Sequence, residues 1–136
     1  MSGLLEFVER FATALDNDDY ETAALCMEQD AVYDDNGGKT IVGRDAILES
    51  FRGASKWGRN NLDGLTFSHE IDNATPLQIR LIDVLAYGGE ELALDHTMHV
   101  SLSDHGLISA VRVAYPPGER DRVTAFFERH GLKKPK

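Results

Sequence analysis

The chain has one cysteine, Cys26, among 136 residues. No internal disulfide can form, so a core must hold the fold, and a chain of this length can bury one. Cys26 sits among Ala23, Ala24, Leu25 and Met27, the setting of a small buried hydrophobe rather than a nucleophile. Basic residues are also scarce, 14 Lys and Arg against 23 Asp and Glu, for a net charge of −9. Such a surface repels polyanions, which leaves neither nucleic acid nor an anionic membrane as an expected partner. The only basic run is the tail Lys133, Lys134 and Lys136, read as a solvated terminus. Long apolar runs are missing too. No window approaches the eighteen apolar residues of a spanning helix, and Glu6 and Glu9 break the apolar core that a signal peptide needs. The expected location is the cytoplasm, and the expected organisation is one domain over residues 1–136, with its core in 4–115 and a C-terminal helix over about 118–130.

Helical periodicity dominates the first half. Leu4, Val8, Phe11 and Leu15 form a stripe widened by Leu5 and Ala12, so a helix is expected over 4–16. Asp18 followed by Glu21 resembles a capping box and opens a short helix through Met27. A strand is expected at 31–35 and a shorter one at Thr40–Val42. Ala46, Ile47, Leu48 and Phe51 mark a third helix from Arg44 to Ser55, with Gly58, Asn60 and Asn61 as a loop after it.

The period then changes to two. Strands are expected over 65–73, 77–87, 91–103 and 107–115, with Gly88-Gly89 as a two-residue hairpin turn and "SDHG" at 103–106 as a four-residue one. A last helix follows Gly118, with Val123, Phe126 and Phe127 inward and Gly131 as its cap. Helices first and an antiparallel meander after them define an α+β domain.

Each apolar strand face is interrupted by one ionisable residue. Leu65, Phe67 and Ile71 share a face with His69; Leu77, Ile79, Leu81, Leu85 and Tyr87 with Asp83; Leu92, Leu94, Met98, Val100 and Leu102 with His96. A turn at 88–89 pairs residue 81 with 96 and 83 with 94, which makes Asp83 and His96 diagonal neighbours. The "SDHG" turn, pairing 102 with 107, sets Val113 opposite His96 and brings Tyr115 to the same interior. In "DAVYDDNGG", Tyr33 and Asp35 share one side of the first strand. Buried ionisable groups need partners or a wet pocket, and this many together point to a polar-lined internal cavity. His96 and His99 of "HTMH" lie on opposite faces and cannot close on one ion, and no metal or other cofactor is expected. The other face of the second long strand carries Ile82 and Val84, which calls for a cover; a symmetric homodimer through that outer sheet face supplies one.

The helix and short helix, the stretch "DDYETAALCMEQDAVYDD", the helix start "GRDAI" and the closing meander resemble, over Leu4 to Tyr115, the nuclear transport factor 2 fold in its SnoaL-like and ketosteroid-isomerase-like branch. The resemblance implies a conical, curved, mostly antiparallel sheet wrapped around the N-terminal helices, with a pocket between them and dimers formed through the outer sheet face. It places the general base of ketosteroid isomerase on Asp35. The oxyanion-hole tyrosine of that enzyme falls on Phe11, its protonated aspartic acid on Met98, and a further pocket tyrosine on Phe51. The expected function is binding of a small hydrophobic molecule, with acid–base chemistry of the isomerase, cyclase or dehydratase kind. In that reading Asp35 takes a proton, and His96, held by Asp83, stabilises the developing charge; Phe11, Tyr33, Phe51, His69, Met98, Val113 and Tyr115 line the pocket. The alternative is a ligand-binding or dimerisation module of the same fold without turnover.

Overall fold

The computed structural model describes residues 2–133, so Lys134 and Lys136 of the basic tail lie outside the described residues. The elements are α1 (Ser2–Asp16), α2 (Tyr20–Leu25), β1 (Met27–Asp34), β2 (Thr40–Val42), α3 (Arg44–Asn61), β3 (Gly64–Ile71), β4 (Gln78–Tyr87), β5 (Glu90–Leu102), β6 (Ile108–Ala114) and α4 (Glu119–Arg129). α1 buries Val8, Phe11 and Ala12 on the stripe its periodicity defines. α2 is capped by Asp19 rather than Asp18, through a 3.2 Å bond from the Thr22 amide to the Asp19 carboxylate. Asp18 adopts a left-handed backbone, φ 57°, and turns to α3, where it accepts from Ser55 at 2.9 Å and Arg59 at 2.8 Å.

α3 continues through the expected loop at Gly58 and ends at Asn61. Gly58 is a packing glycine, not a stop signal. A Cβ there would lie 2.5 Å from the Leu65 side chain, so its absence lets α3 approach β3.

The six strands form one sheet in the order β2-β1-β6-β5-β4-β3. β1 and β6 run parallel, and the other neighbours are antiparallel. Between β4 and β5 the chain turns on Gly88 and Gly89, at φ 60° and 82°, the two positive angles that a tight hairpin of this hand requires. The resulting register pairs Leu81 with His96 and Asp83 with Leu94, as the two-residue turn predicts. Between β5 and β6 the register differs from expectation. Val113 lies opposite Met98, not His96, because the turn pairs Leu102 with Ile108 rather than Leu107 and the ladder shifts by one more residue between Ser101 and Leu102. The two one-residue displacements add to an even number, so the residues beyond the bulge keep the faces that alternation assigns them. Tyr115 is thereby brought abreast of His96.

All the buried strand residues share one face, and the helices cover it. Val8, Phe11 and Ile47 pack with Ile79, Met98, Val100 and Val111, and Phe126 and Phe127 of α4 pack with Leu85, Leu92 and Leu94. The α+β class stands, but the conical sheet wrapped around the helices does not. The sheet is open, and its edge strands β2 and β3 do not pair. α3 meets β1 and β2 at one side and β3 at the other, so a helix occupies the gap. β2, only three residues long, is too short an edge to close it. Among the described residues, no helix is long and apolar enough to cross a membrane.

Candidate functional site

The two apolar clusters do not meet in a continuous core. A cavity of about 370 Å³ lies between them, under α3 and against β4, β5 and the end of β6. Its polar seam follows from strand alternation. Asp83 stands between Leu81 of the first cluster and Leu85 of the second, and His96 between Met98 of the first and Leu94 of the second. The hairpin register makes these two polar residues diagonal neighbours. His96 Nε2 is 4.0 Å from Asp83 Oδ2.

Their environments drive both groups toward neutrality. Burial, reinforced by the charge of Asp16, pushes the Asp83 carboxyl up to about 7. Burial pushes the His96 imidazole down to about 4, against the opposing fields of Asp95 and Glu119. Between those values the pair is a carboxylic acid facing a neutral imidazole, not a salt bridge. His96 Nδ1 is sealed from solvent with no hydrogen-bond partner among the described residues. The ring stacks on Tyr115, centroids 5.0 Å apart at 22°, and the Arg120 guanidinium lies 4.4 Å from the Tyr115 ring centre. Burial raises the Tyr115 hydroxyl as well. The Tyr33 hydroxyl is raised first by burial and further by the neighbouring Tyr115 and Asp35, so it stays a neutral donor.

The SnoaL-like domain model matches residues 8–133. The chain belongs to the SnoaL-like family, within the nuclear-transport-factor-2-like superfamily. Solved structures agree on the fold. A putative ketosteroid isomerase from Kribbella flavida is 17% identical over 85% of this chain and 79% of its own, with a TM-score of 0.60. An LEH-like epoxide hydrolase from M. tuberculosis is 20% identical over 95% and 98%, at 0.61. Bal32a, from a soil-derived mobile gene cassette, is 16% identical over 88% and 94%, at 0.68. No curated protein matches the chain.

In this SnoaL-like domain the cavity gathers Tyr33, Phe51, Asp83, His96, Met98, Val113 and Tyr115. Three residues singled out from the sequence lie elsewhere. Phe11 is fully buried in the first cluster. His69 bridges two acids of α1, Nδ1 to Asp16 at 2.6 Å and Nε2 to Glu9 at 3.0 Å. Burial opposes its protonation, but Glu9 and Asp16 together raise it above the ordinary histidine value. Asp35 falls one residue past β1, where its carboxylate accepts the amides of Gly37 at 2.8 Å and Lys39 at 3.0 Å. Partial burial works against ionisation there, but those amides, with Arg120 and Lys39, hold the group below its usual range.

The cavity also takes in residues that pattern reading passed over, chiefly Asp16, Lys39 and Trp57. A signal for Asp16 was present: an acid in the last turn of a helix opposes the helix dipole and needs a cation, which His69 supplies. Lys39 carried no comparable signal, being a polar residue in a glycine-rich turn.

Proposed function

We propose that the cavity binds a small, mostly apolar molecule and moves a proton on it, in the manner of an isomerase, cyclase or dehydratase. The observation that carries this reading is Asp83. It is a carboxyl group in an apolar cavity, with no hydrogen-bond partner among the described residues, and with a pKa near 7 that populates both protonation states at neutrality. A carboxyl serving only the fold would be hydrogen-bonded.

His96 complements it. With Nδ1 sealed off, the ring proton is assigned to Nε2, on the side of Asp83, where a neutral N–H can donate to an oxygen gaining charge. In an allylic isomerisation, the Asp83 carboxylate takes a proton from the carbon beside a carbonyl, and the His96 N–H supports the enolate oxygen. The Asp83 acid then returns the proton at the far carbon, so atoms and charge balance with no co-reactant. Asp35, held in its turn, is not given this role. The putative ketosteroid isomerase and the epoxide hydrolase among the structural relatives support proton-transfer chemistry at family level. We also propose a cytoplasmic homodimer formed through the outer sheet face at Ile82 and Val84, with no nucleic-acid partner at a net charge of −9.

The test is deuterium exchange. A panel of small cyclic β,γ-unsaturated ketones is incubated with the protein in D₂O and followed by NMR. Wild type is expected to incorporate deuterium and bring the double bond into conjugation, with a rate that rises with pH through about 7 as Asp83 ionises. Asp83→Asn should lower that rate about 10²–10⁴-fold. Ligands that bind without exchange would leave the protein a binding module.

A further inference from the structure

The proposed reading gives the substrate an apolar body; the rim of the same cavity adds a charge. Lys39 is the only lysine or arginine among the residues lining it. Most arginines of the described chain sit against carboxylates, as Arg59 does with Asp18, Arg80 with Glu70 and Asp95, and Arg129 with Glu90. Lys39 has no such partner among the described residues; its ammonium is 3.5 Å from the hydroxyl of Ser50, another lining residue. Beside them Tyr33 packs edge-on against Phe51 at 5.5 Å, and its hydroxyl makes no hydrogen bond among the described residues.

The local charge balance is also unusual for so acidic a chain. Asp35 is the nearby carboxylate on this side of the sheet, and two cations, Arg120 and Lys39, both act on it. Arg120 reaches round to donate to the Asp35 carbonyl at 2.5 Å. Strand alternation sends Asp34 to the opposite face of the sheet, where it accepts the Asn36 amide. Among the residues lining the cavity, Lys39 is thus the cation without a carboxylate partner, while the charges of Asp34 and Asp35 are felt at Tyr33. At the other end the wall is apolar, with Trp57 and Phe127 5.3 Å apart. Asp83 and His96 lie on the seam between the two ends.

We infer that the substrate is an amphipathic carboxylic acid. Its carboxylate is held at the rim by the Lys39 ammonium and the Ser50 and Tyr33 hydroxyls, and its apolar body passes Asp83 and His96 toward Trp57. The inference rests on the cavity being the binding site. Of the cavity's two acids, Asp83 is mostly protonated at pH 6, and Asp16 is paired with His69, its remaining field falling on Asp83. The carboxylate is a handle rather than a reacting group, and it fixes which carbon of the body stands against Asp83.

The experiment uses a matched pair of probes, decanoate and decan-1-ol, read by the fluorescence of Trp57, the single tryptophan of the chain, and by calorimetry at pH 6. Wild type is expected to bind decanoate about tenfold or more tightly than decan-1-ol, since a charge-assisted bond is roughly twice as strong as a neutral one. Lys39→Met should abolish the preference by weakening decanoate binding far more than decan-1-ol binding, and Lys39→Arg should restore most of it. Equal affinities for the two probes in wild type, or a preference that survives Lys39→Met, overturn the inference and leave the cavity reading intact. If neither probe binds, the cavity reading fails and this inference with it.

Discussion

The fold resists the ionisation of Asp83. A carboxyl raised from 3.8 to about 7 holds its proton more tightly in the folded than in the unfolded chain. Its contribution to stability is therefore neutral below pH 4, turns increasingly unfavourable as pH rises, and levels off above about 7. The full displacement corresponds to roughly 4 kcal/mol. Asp83→Asn is accordingly expected to stabilise the protein by about 2–4 kcal/mol at pH 8, with the gain vanishing near pH 4. Urea melts at the two pH values check this, and equal midpoint changes at both would show that Asp83 is not a buried acid. His96 has the opposite sign: lowered to about 4, it costs stability as pH falls from 6.5 toward 4. Over most of that interval the two slopes cancel, so the site leaves little trace in the stability profile of the wild type, and single substitutions are needed to expose it.

At the scale of elements, α1 is fastened to β3 by His69, which takes Glu9 and Asp16 from one face of the helix. The imidazolium that makes this clasp is raised, so its contribution is present below pH 6.5 and is lost as pH climbs through the raised value. His69→Gln should destabilise the protein by about 1–3 kcal/mol at pH 6 and by less at pH 9, measured in the same melts. Asp16→Asn removes the charge that helps raise Asp83, so the pH profile of deuterium exchange should move to lower pH. The β4–β5 hairpin was legible in the sequence down to its register, because Gly88-Gly89 fixes the turn and alternation fixes the faces. The β5–β6 ladder was not, since nothing in Ser101 and Leu102 announces a bulge. The length of α3 was misread because a glycine that permits close packing looks, in sequence, like one that ends a helix. The seam of Asp83 and His96 could be read from strand parity alone. Asp35 could not be placed that way, because alternation says which side a residue takes but not that β1 stops at Asp34. The open sheet was equally hidden, since pairing between edge strands depends on where α3 comes to rest.

At the scale of the whole molecule, the face of the sheet away from the helices carries Ile82 and Val84, both half-buried. Beside them Arg80 is paired with Glu70 and Asp95. An apolar centre with a charged surround is the anatomy of a subunit interface. Val84→Glu would bury an unpaired carboxylate there, so the proposed dimer should dissociate at least tenfold more readily, as read by light scattering across a dilution series. A wild type that is monomeric at high concentration would remove the proposal. One further consequence follows from the parallel pair at the middle of the sheet. Tyr33 of β1 lies beside Val111 of β6, residues from opposite ends of the chain, whereas β3 to β6 close through local hairpins. Bringing such distant segments together is the slow step in chain closure. The cavity, whose walls include both Tyr33 and Val113, is therefore expected to be completed late in folding, and a nascent chain emerging from the ribosome lacks part of its wall until β6 has been made.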